Sequence, residues 1–390
     1  MTAAAEAVAP RVSMVMIAAH PSGGSLVGVV AKRTYRVAAQ RCFVADDQLP
    51  LVEQPRFSDD RAILLHDLDC VLNRREVDVV LEGHARPARA RAPSFQMRVR
   101  VGSLDRKLAV FGERRCYRAA SGRLQFSAPE PIEAVPLDWT SSYGGFDSVA
   151  LAGHGDPLLQ LREQAKQPYS PRFGRFAYPR NRAGKGYLIE PTDDALAACA
   201  LPNVEEPLAL LSPERLAVGA HDRWPAAPTV AAVGWLSYAS FPRAAMLGIP
   251  PVYDAAACPP ASFFEVRMGV LKADSLAAAI PFPNRLDLRV AQQAALGMRL
   301  PLLAAGAPVS VVNAHPAIPV WEFTLPREVP TLVVQMPGSK PARLEPKIRT
   351  VHIQPEHDRL SLVWVGELDE PVFVGPNKRA LIKHAIEWRT

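Results

Sequence analysis

Polar and apolar residues alternate through much of this chain, and strict alternation marks a strand with one buried face. The pattern is cleanest where Phe95, Met97, Val99 and Val101 share one face and Gln96, Arg98 and Arg100 share the other. Val77-Asp78-Val79-Val80-Leu81 precedes it, and Leu108-Ala109-Val110-Phe111 follows a turn beginning at Gly102, so the stretch predicts an antiparallel meander. Upstream, Val12, Met14 and Met16, then Val27, Val29, Lys32, Thr34 and Tyr35, predict two strands joined through His20-Pro21-Ser22-Gly23-Gly24. Residues 46–76 have mixed polarity and read as connecting loops with one short helix near Arg61 to His66.

The alternation returns late in the chain, at 309–312, 320–325, 331–334, 349–353 and 360–365, and predicts a second antiparallel sheet. A last helix capped by Asn377 would place Leu381, Ile382, Ala385 and Ile386 on one face. Between the two strand-rich parts lies Leu137-Asp138-Trp139-Thr140-Ser141-Ser142-Tyr143-Gly144-Gly145-Phe146-Asp147, read as a sharp structural turn at Tyr143, Gly144 and Gly145 with Trp139 and Phe146 packed about it. Asp156-Pro157 opens a predicted helix to about Lys166, Thr192 caps a short helix ending before Pro202, and Asn284 caps another to about Ala295. The fold class expected is mainly β (α+β), with two antiparallel β-sheet domains at 1–136 and 261–390. An irregular Pro/Gly-rich segment with a few short helices, 137–260, joins them.

Composition sharpens this reading. The 38 prolines argue against long uninterrupted helices, and 48% hydrophobic with 22% charged residues is an ordinary globular balance. A net charge of +6 raises the question of an acidic partner, but the densest basic stretch, Arg86 to Arg100, is interleaved with small residues and reads as an exposed loop and strand face rather than a nucleic-acid groove. Cys42, Cys70, Cys116, Cys199 and Cys258 are spread singly, which fits buried thiols in a reducing compartment. With no basic leader before an apolar core and no apolar run of about 20 residues, the expected location is the cytoplasm, with no membrane partner.

The familiar catalytic signatures each fail at a definable step. Ser25 lacks the glycine two residues later that a nucleophile elbow needs, since Val27 stands there, and Gly184-Lys185-Gly186 lacks the remainder of a phosphate-binding loop. His352, Glu356 and His357 are close in sequence, but Pro355 and the preceding strand deny them the shared helix face of a zinc protease motif, so they read as a surface turn. His154 and Asp156 offer an acid/base pair on a loop. No catalytic, metal-binding or cofactor-binding residue is assigned, and no cofactor is expected.

With these residues laid out, the chain resembles a bacterial family of type VI secretion system accessory proteins whose biochemical function is unknown. The resemblance rests on Val77-Asp78-Val79-Val80-Leu81-Glu82-Gly83-His84-Ala85, Lys107 to Arg115, Ser142-Tyr143-Gly144-Gly145, Asn181 to Gly186, Leu201-Pro202-Asn203-Val204-Glu205, and the closing strands around Val351 and Val363. Arg182 and Ala183 depart from the usual Pro-Val. The resemblance implies an adaptor or chaperone that loads a secreted effector onto the secretion spike, with effector and spike proteins as partners. Trp224, Trp235, Tyr238 and Phe241, near Arg223 and Arg243, have the aromatic-plus-arginine composition that protein interfaces favour and are the expected protein-binding residues. The competing function is a hydrolase or glycan-active enzyme using His154 and Asp156.

Overall fold

The computed structural model describes residues 10–19, 24–59, 63–72, 74–153, 183–217, 230–236, 292–295 and 297–389, with Phe176, Tyr178 and Asn181. The strands that carry the architecture are, in chain order, β1 (Ser13–Ala19), β2 (Ser25–Ala38), β3 (Arg41–Val44), β4 (Val77–Leu81), β5 (Ser94–Val101) and β6 (Leu104–Phe111). They continue with β7 (Val204–Glu205), β8 (Arg299–Leu300), β9 (Pro308–Val312), β10 (Val320–Thr324), β11 (Val329–Gln335), β12 (Ala342–Leu344), β13 (Lys347–Gln354), β14 (Arg359–Glu367) and β15 (Lys383–Arg389). The protein is mainly β, and its described helices are short.

A seven-stranded sheet runs β1-β2-β14-β13-β4-β8 with β3 beside β2, a five-stranded sheet runs β7-β6-β5-β9-β10, and a three-stranded sheet runs β12-β11-β15. All these pairings are antiparallel except β4 with β13. The parities of β2 explain how the layers stack. Val27, Val29 and Ala31 pack against Leu332, Val334 and Leu344 of the three-stranded sheet, while Tyr35 and Val37, on the same face, enter the large core shared with the five-stranded sheet. Val30 points the other way, onto Leu51, Leu72 and Val363. At the seam, Arg33 bonds Glu328 at 2.9 Å and lies 4.4 Å over the Trp388 ring.

Four sequence expectations change here. The two strand-rich halves do not keep to separate sheets: β2 pairs with β14, β4 with β13, and β5 with β9. Alternation dictates which face is buried but leaves the partner across the sheet open. The meander likewise survives only as the β5–β6 hairpin, turning at Gly102 with φ +55°, because β4 belongs to the other sheet and is buried along its whole length. The closing helix is instead a short 3-10 turn, Pro376–Leu381, followed by β15. Ile382, Ile386 and Trp388 recur at even spacing and pack against the core, so pairing with β11 overrides the weaker helical pattern. Leu64–His66 is also a short strand rather than a helix. The helix capped by Thr192 forms as expected over Asp193–Ala198, its side chain accepting from the Ala195 N–H. The helices expected from Asp156 and Asn284 lie outside the described residues.

The Tyr-Gly-Gly stretch is not a hairpin turn. Tyr143–Gly144 runs parallel to Lys185–Gly186, after a 3-10 turn over Trp139–Ser141 capped by Asp138. Asn181 Nδ2 donates to the carbonyls of Trp139 at 2.7 Å and Tyr143 at 3.2 Å, while its own carbonyl accepts the Gly145 N–H at 2.8 Å. The approach is so close that a Cβ on Gly144, whose φ is +150°, would fall 2.0 Å from the Asn181 carbonyl oxygen. Asp147 completes the clamp by accepting the N–H groups of Ala150 at 2.9 Å and Ile189 at 3.0 Å.

A second fastening is ionic. Asp78, inside the otherwise apolar β4, and Arg74 are both 0% exposed at their side chains and lie 3.2 Å apart. Arg74 Nη1 also donates to Gln293 Oε1 at 2.7 Å and Thr350 Oγ1 at 2.9 Å, and Asp78 accepts the backbone N–H groups of Gln293 at 2.9 Å and Ala294 at 3.0 Å. Residues distant in sequence are thus tied to one carboxylate.

Two stability predictions follow from this packing. Gly144→Ala is expected to abolish soluble folded protein, whereas Gly153→Ala, which meets no described neighbour within 4 Å, shifts the urea unfolding free energy by less than about 1 kcal/mol. Asp78→Ala strands the buried Arg74 charge and is expected to lower unfolding free energy by about 3–5 kcal/mol, measured by urea denaturation. A near-neutral result would show that water reaches the pair.

Candidate functional site

β4 leaves the core at Leu81 and continues as Glu82-Gly83-His84, held on both flanks by backbone bonds: the Glu82 N–H to the Ile353 carbonyl at 3.0 Å and the Leu137 N–H to the Gly83 carbonyl at 2.9 Å. Gly83 has φ +139°, and Glu356 packs over it, with its Cγ 3.4 Å from where a Cβ would stand. Together with Leu64, Leu65, Leu137, Asp138, Trp139, Trp235 and His357, these residues line a cavity of about 280 Å³. Its Trp139 wall is set by the clamp through Asn181, and Trp139 Nε1 donates to the Trp235 carbonyl. Its Trp235 wall is set by the ionic fastening, since Trp235 bridges to Ala294 and the Leu236 N–H bonds the Gln293 carbonyl at 2.7 Å.

Each of two carboxylates is held through one oxygen. His352 Nε2 donates to Glu82 Oε2 at 2.8 Å, the carboxylate fixing the tautomer because it only accepts, and Gln354 Nε2 joins it at 3.1 Å. Burial alone would raise the Glu82 pKa, but the hydrogen bond and charge of His352, with help from His66 and Gln354, bring it below the ordinary carboxylate value. At Glu356, Oε1 accepts from His84 Nδ1 at 2.8 Å and Arg86 Nη2 at 3.1 Å, and these donors likewise outweigh burial and lower its pKa. Glu82 Oε1 and Glu356 Oε2 have no hydrogen-bond partner among the described residues.

Behind Glu82 sits a cluster of rings: His66 and Trp235 at 4.7 Å between centroids, His66 and His352 at 5.1 Å, Trp235 and His352 at 5.5 Å. His66 Nδ1 donates to the Asp67 carbonyl at 2.7 Å, and burial, reinforced by His352, pushes its pKa down to about 4. Trp235 Nε1 and His352 Nδ1 are buried with no hydrogen-bond partner among the described residues.

Of the protein-binding residues expected from sequence, Trp235 is 3% exposed and forms a cavity wall. Arg223, Trp224, Tyr238, Phe241 and Arg243 lie outside the described residues, as do His154 and Asp156. His352, Glu356 and His357 are not a plain surface turn: His352 is buried on β13, and the turn Pro355–His357 brings Glu356 and His357 to the cavity. Tyr143, Gly144 and Gly145, read from sequence as a sharp turn, lie in the clamp beside Lys185–Gly186. Sequence reasoning passed over Glu82 and His84. Their signal was two ionisable groups flanking a glycine at the end of an apolar strand, where a side chain emerges from the core.

The basic stretch is largely committed to internal partners: Arg86 to Glu356, Arg91 to the Pro131 carbonyl, and Arg98 to Asp105 through both carboxylate oxygens. Burial pushes the Cys42, Cys70 and Cys199 thiols up to about 12, which keeps them protonated. Among the described residues no group of three or more His, Cys, Asp or Glu side chains is arranged to hold a metal ion, and no helix is long and apolar enough to cross a membrane.

Over residues 22–365 the chain matches the model of a family described as an uncharacterised protein conserved in bacteria (DUF2169), and it belongs to that family. No curated protein and no solved structure matches it.

The ring cluster predicts an acid response. Unfolded, His66 takes up its proton near 6.5, but in the fold it does so only at about 4, so the unfolded state binds more protons between these values and stability falls as pH drops through that window. Glu82 and Glu356, with lowered values, add their own loss only below 4.5. Proton NMR titration is expected to give a His66 midpoint near 4, and His66→Gln to flatten the stability slope between pH 6.5 and 4. A midpoint near 6.5 would contradict the burial.

Proposed function

We propose that this member of the DUF2169 family is a non-catalytic adaptor that binds a secreted effector protein in the bacterial cytoplasm and assists its loading onto a type VI secretion spike. The effector and spike as partners come from the sequence resemblance. The binding role rests on one observation: an apolar, tryptophan-walled cleft carrying two adjacent carboxylates, each with one oxygen committed inside the protein and one uncommitted.

Chemistry favours binding over turnover at this cleft. A carboxylate pair that works as acid and base needs one member kept protonated by a raised pKa, and here both are lowered. Two fixed negative charges beside aromatic walls instead suit the recognition of a complementary segment. The single thiols, protonated by burial, fit the cytoplasmic location. The competing hydrolase or glycan-active reading requires His154 and Asp156 to act together.

Co-expression with the effector candidate encoded beside this protein, followed by affinity capture, separates the two. A stable complex that raises effector solubility and survives His154→Ala with Asp156→Ala is the expected result. No complex, together with substrate turnover abolished by that pair, would replace the adaptor with an enzyme.

A further inference from the structure

We infer that the cleft is an arginine pocket: it receives one arginine side chain from an extended segment of the client, whose guanidinium bridges Glu82 and Glu356. The inference rests on the adaptor reading for the client's identity, but its chemistry is argued from the cleft alone.

Size comes first. Pockets for drug-sized ligands run from roughly 300 to 1,000 Å³. At about 280 Å³ this cavity falls below that range and suits one long side chain. Charge comes second. Glu82, Asp138 and Glu356 all line the cavity, and Arg86 is the one permanent cation bonded to any of them among the described residues. Asp138 accepts the Thr140 N–H and hydroxyl through Oδ1 alone, so Asp138 Oδ2, Glu82 Oε1 and Glu356 Oε2 are the lining carboxylate oxygens with no hydrogen-bond partner among the described residues; Glu82 precedes Gly83 and Glu356 packs over it, which makes these two the neighbouring pair.

Shape decides between cations. Two acceptors on neighbouring side chains match the planar fork of a guanidinium, which donates in two directions at once and tolerates aromatic walls, better than the point charge of an ammonium. An independent observation points to a peptide. Trp235, 3% exposed and part of the cavity wall, carries an indole N–H with no acceptor among the described residues. That N–H is shielded from solvent, so a backbone carbonyl next to the bound arginine reaches it only once the ring turns toward the cavity, which relieves the cost of a buried donor without an acceptor. Arg86 and His84 then act as positioning residues, holding Glu356 over Gly83 with its second oxygen outward.

The test uses the full-length protein and three fluorescein-labelled peptide amides, Gly-Leu-X-Leu with X as arginine, norleucine or glutamate, in fluorescence anisotropy at low and high salt. Charge-assisted hydrogen bonds predict that the arginine peptide binds about tenfold or more tightly than the norleucine one, with the glutamate peptide weakest. The preference should shrink with salt and disappear in Glu82→Gln with Glu356→Gln. Trp235→Phe should weaken all three peptides while keeping their order. Should a variant fail to fold, the indole N–H resonance of Trp235 in the wild-type protein is expected to shift with the arginine peptide and not with the glutamate one.

Equal binding of the three peptides, no binding by any, or an arginine preference that survives loss of both carboxylates would overturn the inference. So would free arginine ethyl ester binding as tightly as the peptide, which would mark a small-molecule site. Effector capture read alongside keeps the claims apart. A captured effector without arginine preference removes the pocket and leaves the adaptor, whereas arginine preference without any effector complex removes the adaptor and leaves the pocket.

Discussion

A carboxylate buried in an apolar strand is the constraint on which the rest of this structure depends. Asp78 is enclosed within β4 and cannot be hydrated, so its charge must be met inside the protein. Arg74 meets it from four residues upstream, Thr350 and Gln293 share the arginine, and the backbone of Gln293 and Ala294 closes on both carboxylate oxygens. Such a network contributes little net stability compared with an apolar replacement, but each member left alone would be a buried charge or an orphan donor. Its effect is to specify which distant segments meet. The segment it recruits bridges to Trp235, and the strand it anchors ends in Glu82, so both come to the same cleft.

The second constraint is steric. Gly144 and Gly145 approach the backbone of Asn181 and Gly184 until no Cβ fits between them, and the side-chain amide of Asn181 bonds the carbonyls of Trp139 and Tyr143. This clamp sits beside a separate core of Tyr143, Tyr178 and Tyr187 and sets the Trp139 wall of the cleft. The ionic and the steric fastening thus place the two tryptophans that face each other through a hydrogen bond from one indole to the other's carbonyl. The aromatic sides of the cleft are thus held by hydrogen bonds to backbone carbonyls, while its carboxylates are oriented by side-chain donors. That division suits recognition of a fixed shape and charge.

Much of the strand content was legible because a buried face imposes a period of two, which β5, β9, β10 and β11 carry, whereas β2, β13 and β14 are buried on both faces along most of their length and read as strands from their apolar runs. Partner choice was not legible, because it depends on features alternation does not encode. β4 looks like the first strand of a meander, yet Asp78 and the parallel pairing with β13 take it to another sheet. The closing residues offered both a helical and a strand pattern, and an available edge on β11 decided between them. At the site, Tyr143-Gly144-Gly145 read as a sharp turn, and the residues packed against it, Asn181, Gly184 and Lys185, are remote in sequence. Glu82 and Glu356 are similarly remote, so no local motif could join them. His352 was dismissed for lacking a helix face, whereas a strand followed by a 3-10 turn brings it and Glu356 to one place.

The central claim is that this cleft is where a client protein is held. Hydrogen–deuterium exchange of the full-length protein with and without the proposed effector tests it most directly, because Glu82, Gly83 and His84 and the turn Pro355–His357 border the cleft. The account predicts that these two segments gain protection together when the effector binds, while the distant β11–β15 pair is unchanged. Protection confined to other surfaces, with both cleft segments exchanging as before, would contradict it.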